Sequence, residues 1–480
     1  MKLSILLFLA FCANFIYCAD SDGKKFVFSF VGDDDITASL ITNVIVIPLV
    51  KDSYCTFKYI QATDYSPATL QKTAYFGKTN EFSFDPRQVY LESMDEEYKF
   101  QNFYIKDFRI FATCTEDVKL IGRISDHVKG WGDLFEIPSI PSFSGTNFIF
   151  SVPTGFGNGK GTISFLPIIV GERITINYVG YLNNEWFANE TVNYDTGVGH
   201  DQRYVYVYPA LADIYDSATI AIRSSHPIMV TFASALTASS DHDDDTCGAS
   251  CMLDYTTFFV PPAVYKMCHG PNITSPDQRL MTNDFTTSVY ITPPATQFDD
   301  CYEKFKMIVY EKSNNSTKGA GSVSSTGDSA IPLLNYPEIA SSAISGLMPM
   351  YRFGSIFNPR GVGPTGYGHF AHYIPSIQEW VTGNTQFYSL ANNCFIEFFA
   401  DVIGSNLNYI RLDGKPLNNY SLNNLYYFGT TYGHFIMPVQ GFGIHTFQNP
   451  GNYVLYVICQ NVNSAYNAAG YVTGFNQRKV

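Results

Sequence analysis

A chain of 480 residues with a formal net charge of −13 is long enough to fold around about three or four hydrophobic cores, and its acidic balance excludes a basic surface for nucleic acid. Aromatic residues reach 16% of the chain, 34 Tyr and 39 Phe, a content that suits β-strands, where such side chains pack on a pleated surface. No long amphipathic helical pattern competes, so the bulk prediction is all-β.

In chain order, residues 1–18 come first. Lys2, the apolar run from Leu3 to Ile16, and the small Cys18 and Ala19 ahead of Asp20 predict a cleaved secretory signal. A spanning helix needs about 20 apolar residues, no second such segment occurs, and the tail from Gly474 is polar, so no membrane insertion is expected. Unit 1, residues 19–140, opens on Gly23-Lys24-Lys25-Phe26-Val27-Phe28 and closes on Ile137-Pro138-Ser139-Ile140. Unit 2, residues 141–264, opens in the same way on Gly145-Thr146-Asn147-Phe148-Ile149-Phe150. Its stretch Ile220 to Val230 aligns without a gap on Ile110 to Leu120, and Phe258-Phe259-Val260-Pro261 echoes the exit Phe135-Glu136-Ile137-Pro138. Unit 3, residues 265–377, starts more weakly near Asn283-Asp284-Phe285 and ends on a second Ile-Pro-Ser-Ile at Ile374 to Ile377. The polar, small-residue segment 312–328 inside it predicts a flexible loop. Unit 4, residues 378–480, opens on Gly383-Asn384-Thr385-Gln386-Phe387.

Alternating runs such as Tyr204 to Tyr208 and Tyr453 to Ile458 place successive side chains on opposite faces of a sheet. The repeat is domain-sized, far above the roughly 20 to 50 residue period of solenoids. The expected architecture is all-β: three or four tandem β-sandwich units, Ig-like or jelly-roll-like, in an elongated array joined at the Pro-containing exits 137–144, 260–264 and 374–380.

Once Cys12 and Cys18 leave with the signal, eight cysteines remain, an even number that favours disulfides in a secreted chain. Eight permit about a hundred pairings, but bridges local to each unit select Cys55–Cys114 and Cys394–Cys459, with Cys247–Cys251 and Cys268–Cys301 for the middle four. Five Asn-x-Ser/Thr sequons, at Asn189, Asn272, Asn314, Asn315 and Asn419, predict exposed positions able to carry N-linked sugar.

The densest polar cluster is Asp241-His242-Asp243-Asp244-Asp245, ahead of Cys247 and Cys251. Asp241, Asp243 and Asp245 offer hard oxygens of the kind Ca²⁺ takes, but the EF-hand spacing and its closing Glu are absent, and a run of acids is more often a solvated loop. No metal and no cofactor is therefore expected. His369 and His372 align on Gly132 and Phe135 of unit 1, which coordinate nothing, and residues three apart on a strand face opposite sides, so both are read as scaffold. His226 and His445 are read likewise. No Gly-x-Ser-x-Gly elbow, His-Glu-x-x-His or phosphate loop occurs, and no residue is assigned a catalytic role. Triads whose members meet only in space stay open at this point.

The stretch Ile222-Arg223-Ser224-Ser225-His226-Pro227-Ile228-Met229-Val230 and the exit Phe259-Val260-Pro261-Pro262, with Leu412-Asp413-Gly414, Gly443-Ile444-His445 and Gly470-Tyr471-Val472 nearer the end, resembles the N-terminal domain of the IgG-Fc-binding protein family over residues near 140 to 475. The chain departs from that pattern at Thr231-Phe232-Ala233-Ser234, where the family commonly has Ser-Gly, and it lacks von Willebrand-type repeats. The resemblance implies a secreted recognition or adhesion module and supplies no catalytic residue. The function expected is thus a non-catalytic extracellular glycoprotein, not an enzyme, that binds an extracellular protein or glycan through inter-strand loops. The loops singled out are Ser239 to Tyr255, with Asp243 and Asp244, and Asn358 to His369, with Tyr367. The alternatives are a carbohydrate- or Ca²⁺-binding β-sandwich module and a secreted hydrolase on a β scaffold.

Overall fold

The computed structural model describes residues 19–32, 36–92, 100–152, 161–183, 185–195, 201–207, 218–237, 254–296, 301, 303–312, 316–327, 330–333, 337–358, 365–390, 393–462 and 467–478. Unit 1 carries β1 Gly23–Phe28, β2 Phe30–Gly32, β3 Leu40–Pro48, β4 Ser53–Ile60, β5 Pro67–Ala74, β6 Glu81–Phe84, β7 Tyr90–Glu92, β8 Phe100–Lys106, β9 Ile110–Asp126 and β10 Trp131–Ile137. Unit 2 carries β11 Gly145–Val152, β12 Gly161–Pro167, β13 Arg173–Leu182, β14 Glu185–Asp195, β15 Asp201–Val207, β16 Ala218–Thr237 and β17 Asp254–Val260. Unit 3 has β18 Asp277–Thr282, β19 Thr286–Ile291, β20 Lys304–Lys312, β21 Ser316–Ser324, β22 Ala330–Pro332, β23 Glu338–Ala343, β24 Met350–Asn358 and β25 Thr365–Ile374. Unit 4 has β26 Val381–Ser389, β27 Cys394–Ala400, β28 Arg411–Leu412, β29 Lys415–Pro416, β30 Ser421–Tyr427, β31 Thr430–Pro438, β32 Gly443–Gln460 and β33 Ala468–Val472.

One pairing scheme recurs four times, around one long strand in three units and around a divided one in unit 3. The first half of β9 pairs with β1 and β4, and its second half with β3 and β10. Strand β16 does the same with β11 and β13, then β12 and β17, and β32 with β26 and β28, then β27 and β33. In unit 3 the long strand is split in two. Strand β23 takes β18 and β20, and β24 takes β19 and β25. The split falls at Gly346-Leu347-Met348-Pro349, where Pro349 has no N–H for a ladder and a side chain at Gly346 would run into Pro294.

Burial follows this scheme. The first half of β9, like that of β32, alternates buried and exposed residues, whereas the second half is buried on nearly every residue. A strand covered on one face reads as alternation, and one covered on both reads as a continuous apolar run. The covering layer is the set of last strands. Strands β10, β17, β25 and β33 lie side by side in a closed cycle, each touching the next and β33 returning to β10.

The units are therefore all-β and tandem, but they close into a ring, which corrects the elongated row expected from the repeat. The first and last described segments meet at the closure. Ser21 N–H donates to the Phe475 carbonyl at 3.1 Å, Gln477 N–H donates to Asp20 at 2.8 Å, and Lys119 pairs with Asp22 at 2.7 Å. The units also share core and strands. One apolar cluster runs from Phe26 through Phe165 and Tyr351 to Tyr456, and β8 from unit 1 adds an edge to the unit 2 sheet by pairing with β15.

At the centre of the ring sit two buried carboxylates. Asp254 accepts N–H bonds from Gly132 at 3.2 Å, Tyr255 at 2.8 Å, His369 at 3.1 Å and Ala468 at 3.0 Å, and also from the Asn467 side chain, so one side chain gathers all four units. Asp133 accepts from Leu134, Thr257 and Gly470. Burial pushes the Asp254 carboxyl up to about 8 and Asp133 well up, against the N–H donors that pull both down. Between units 3 and 4, Arg352 Nη1 donates to Glu397 at 2.6 Å, and His434 Nε2 lies 3.0 Å from the same carboxylate. Burial raises Glu397, but Arg352 and His434 outweigh it and hold the group down at about 2.

Three of the four expected disulfides form: Cys55–Cys114, Cys268–Cys301 and Cys394–Cys459. The first and third join directly opposed residues of neighbouring strands. Cys247 and Cys251 lie outside the described residues, as do Asp241, Asp243, Asp244, Asp245, Asn314 and Asn315. The flexible segment predicted at 312–328 is corrected in its centre. Ser316–Ser324 is strand β21, laddered antiparallel on β20 from Lys304↔Ser324 to Lys312↔Ser316. Among the described residues no helix is long and apolar enough to cross a membrane.

Candidate functional site

The loop expected from Asn358 to His369 is shorter than its glycines suggested, since β24 runs to Asn358 and β25 starts at Thr365. Tyr367 thus belongs to a strand, opposite Ile356. The described sequons Asn189, Asn272 and Asn419 are exposed. His369 and His372 are enclosed. His369 stacks on Phe353 at 5.4 Å and His372 on Tyr456 at 4.7 Å, and burial pushes them down to about 4 and about 3. One group has metal-like spacing among the described residues, Cys268, His269 and Glu303. The Cys268 sulfur is committed to Cys301, which removes the thiolate such a site would need.

A better-formed site lies on unit 4. Gly383 and Asn384 in β26 and Gln448, Asn449 and Pro450 in β32, beside the register shift between these strands, form the floor of an open groove of about 470 Å³, walled by Ile403 and Tyr409. Asn384 and Gln448 are cross-strand partners, so their side chains stand next to each other. Among the described residues neither amide has a hydrogen-bond partner. No lining residue is charged.

The wall is held firmly from below. Asp401 accepts from Gly404 N–H at 2.7 Å and from the Asn452 backbone and side-chain N–H groups at 3.1 and 2.8 Å. Ser405 Oγ donates to the Asp401 carbonyl at 2.7 Å and accepts from Gly433 N–H at 3.0 Å, while Asn449 Nδ2 donates to the Gly404 carbonyl at 2.9 Å. Turn bonds from Asn406 and Tyr409 finish the loop. On this fixed frame Val402, Ile403 and Tyr409 are 62%, 64% and 63% exposed, large apolar groups held in water by backbone that cannot fold them away.

A second constellation sits farther along the same two strands. Ser389, His445 and Asp413 are linked by hydrogen bonds, and Asp413 and His445 come from the Leu-Asp-Gly and Gly-x-His pieces noted in the sequence. Neither place was assigned from sequence. Tyr409, Asn384 and Gln448 carry no local motif, and their grouping depends on the strand register.

No family model and no curated protein matches the chain. Among solved structures it is faintly similar to an anti-sigma factor domain-containing protein, at 5% identity over 70% of this chain and 90% of that one with a TM-score of 0.13. The FN1–FN3 domains of chicken CNTN1 give 10% identity, 74% and 98% coverage and a TM-score of 0.12. A DUF4785 family protein from Legionella pneumophila gives 7%, 80%, 94% and 0.11. Likenesses at these scores decide neither fold nor function.

Proposed function

We propose that this chain is a secreted recognition or adhesion glycoprotein whose unit 4 groove binds a neutral glycan. The observation that carries the reading is the groove itself: an exposed tyrosine on a rigid loop, two unengaged amides beside it, and no charge. A sugar ring presents apolar C–H faces to an aromatic ring and hydroxyls to amides, which both donate and accept. A pre-ordered loop avoids the entropy cost of closing on the ligand. No charged side chain lines the groove, and Arg411, the cross-strand neighbour of Gln448, donates to the Ile410 carbonyl at 2.8 Å.

Three disulfides fit an oxidising compartment, and the signal-like residues 1–18 and the exposed sequons support the same location. The resemblance to the IgG-Fc-binding N-terminal domain family agrees with recognition as the role. The test is a printed array of neutral, sialylated and sulfated oligosaccharides probed with the intact protein. Neutral glycans are expected to bind, and Asn384→Ala with Gln448→Ala to abolish that binding. A signal confined to sulfated or sialylated glycans would refute the reading.

A further inference from the structure

Ser389 ends β26, His445 lies near the start of β32, and Asp413 sits in the turn between β28 and β29. Ser389 Oγ is 3.0 Å from His445 Nε2, and His445 Nδ1 is 2.8 Å from Asp413 Oδ2. The other Asp413 oxygen accepts Thr446 N–H at 2.9 Å, and the imidazole stacks on Phe387 at 5.3 Å, so carboxylate and ring are each fixed from a second direction. This is the order of contacts by which a carboxylate orients a histidine and the histidine takes a proton from a serine.

The turn from Gln440 to Gly443 lies over the serine. Ser389 Oγ donates to the Gly441 carbonyl at 3.1 Å, and Ser389 is fully buried. Gly441 and Gly443 have φ of 110° and 104°, values that suit glycine, and they flank Phe442, which is 62% exposed and rests against Tyr388 at 5.8 Å. Among the described residues the backbone N–H groups of Gly441 and Phe442 have no acceptor.

We propose that Ser389, His445 and Asp413 form a gated acyl-transfer site for O-acyl esters, with the Gln440–Gly443 turn as its gate. Swinging the turn outward removes the Gly441 carbonyl from the serine, and rotation about the Cβ–Oγ bond then aims the hydroxyl proton at His445 Nε2. Oγ bonds to the ester carbonyl carbon, the proton passes to Nε2, and the carbonyl electron pair moves onto oxygen. Collapse breaks the bond to the alkoxy oxygen, which leaves as the alcohol with the proton from Nε2. Water then adds to the acyl-serine with His445 as base, releasing the carboxylic acid and restoring Ser389. The proposal goes beyond glycan binding and does not depend on it.

The test uses the full disulfide-bonded protein, a fluorophosphonate probe and p-nitrophenyl acetate. A covalent adduct is expected on the peptide containing Ser389, lost in Ser389→Ala, with ester hydrolysis falling by about 100-fold or more in that variant. Phe442→Ala, which thins the gate, is expected to label faster than the natural protein. An adduct on Ser389 in either protein upholds the proposal. No adduct in both, while each still melts as a folded protein, would overturn it and leave the three residues a structural latch.

Discussion

Asp254 at the hub and Asp401 at the rim use the same interaction at two depths. Each is a carboxylate that collects N–H groups, but Asp254 draws them from segments of all four units inside a sealed core, whereas Asp401 draws them from Gly404 and Asn452 around one short loop. Buried, the interaction decides which units lie side by side, because N–H groups removed from water are costly without an acceptor. Exposed, it decides only the shape of a loop, and that shape is what presents Tyr409.

Breaking the hub should have the largest effect. Asp254→Ala strands five donors and is expected to destabilise by on the order of 5 kcal/mol, read as the loss of a single cooperative thermal transition; a melting point near the natural value would show that the ring does not hang on this residue. Next, removing the Cys394–Cys459 bridge, whose ends are 65 residues apart, is expected to cost about 4 kcal/mol in denaturant melts under oxidising conditions.

The hub neighbour His372 gives a pH test. Its folded value of about 3 lies below the unfolded value near 6.5, so its contribution is complete above pH 6.5 and is lost as the pH falls toward 3. His372→Phe should therefore gain about 2 kcal/mol relative to the natural protein between pH 7 and pH 5; a pH-independent difference would mean that the histidine titrates in the fold as it does in the unfolded chain. At the rim the effects shrink. Asp401→Ala is expected to cost about 1–2 kcal/mol while weakening glycan binding, since the loop under Tyr409 loosens.

This contrast also sorts what was legible in the sequence. The β character, the long strands aligned at Ile110 and Ile220, and the bridges Cys55–Cys114 and Cys394–Cys459 could be read because alternation, repeat and cysteine spacing are local signals. Closure into a ring could not. Asp133 and Asp254 look like ordinary polar residues in strand openings, and their partners, Thr257, His369, Ala468 and Gly470, are more than a hundred residues away. The groove and the Ser389 constellation were hidden in the same way, since strand register alone brings Asn384 to Gln448 and Phe387 to His445. A partial clue to the latter was present, because Asp413 and His445 fell in two motifs already singled out.

In the proposed reading, recognition resides at the rim and stability at the hub. Binding of Tyr409→Ala to the neutral glycans of the array, measured beside its thermal melt, separates the two. Stability is expected to stay within about 0.5 kcal/mol of the natural protein while neutral-glycan binding disappears. Retained binding at unchanged stability would place recognition away from Tyr409.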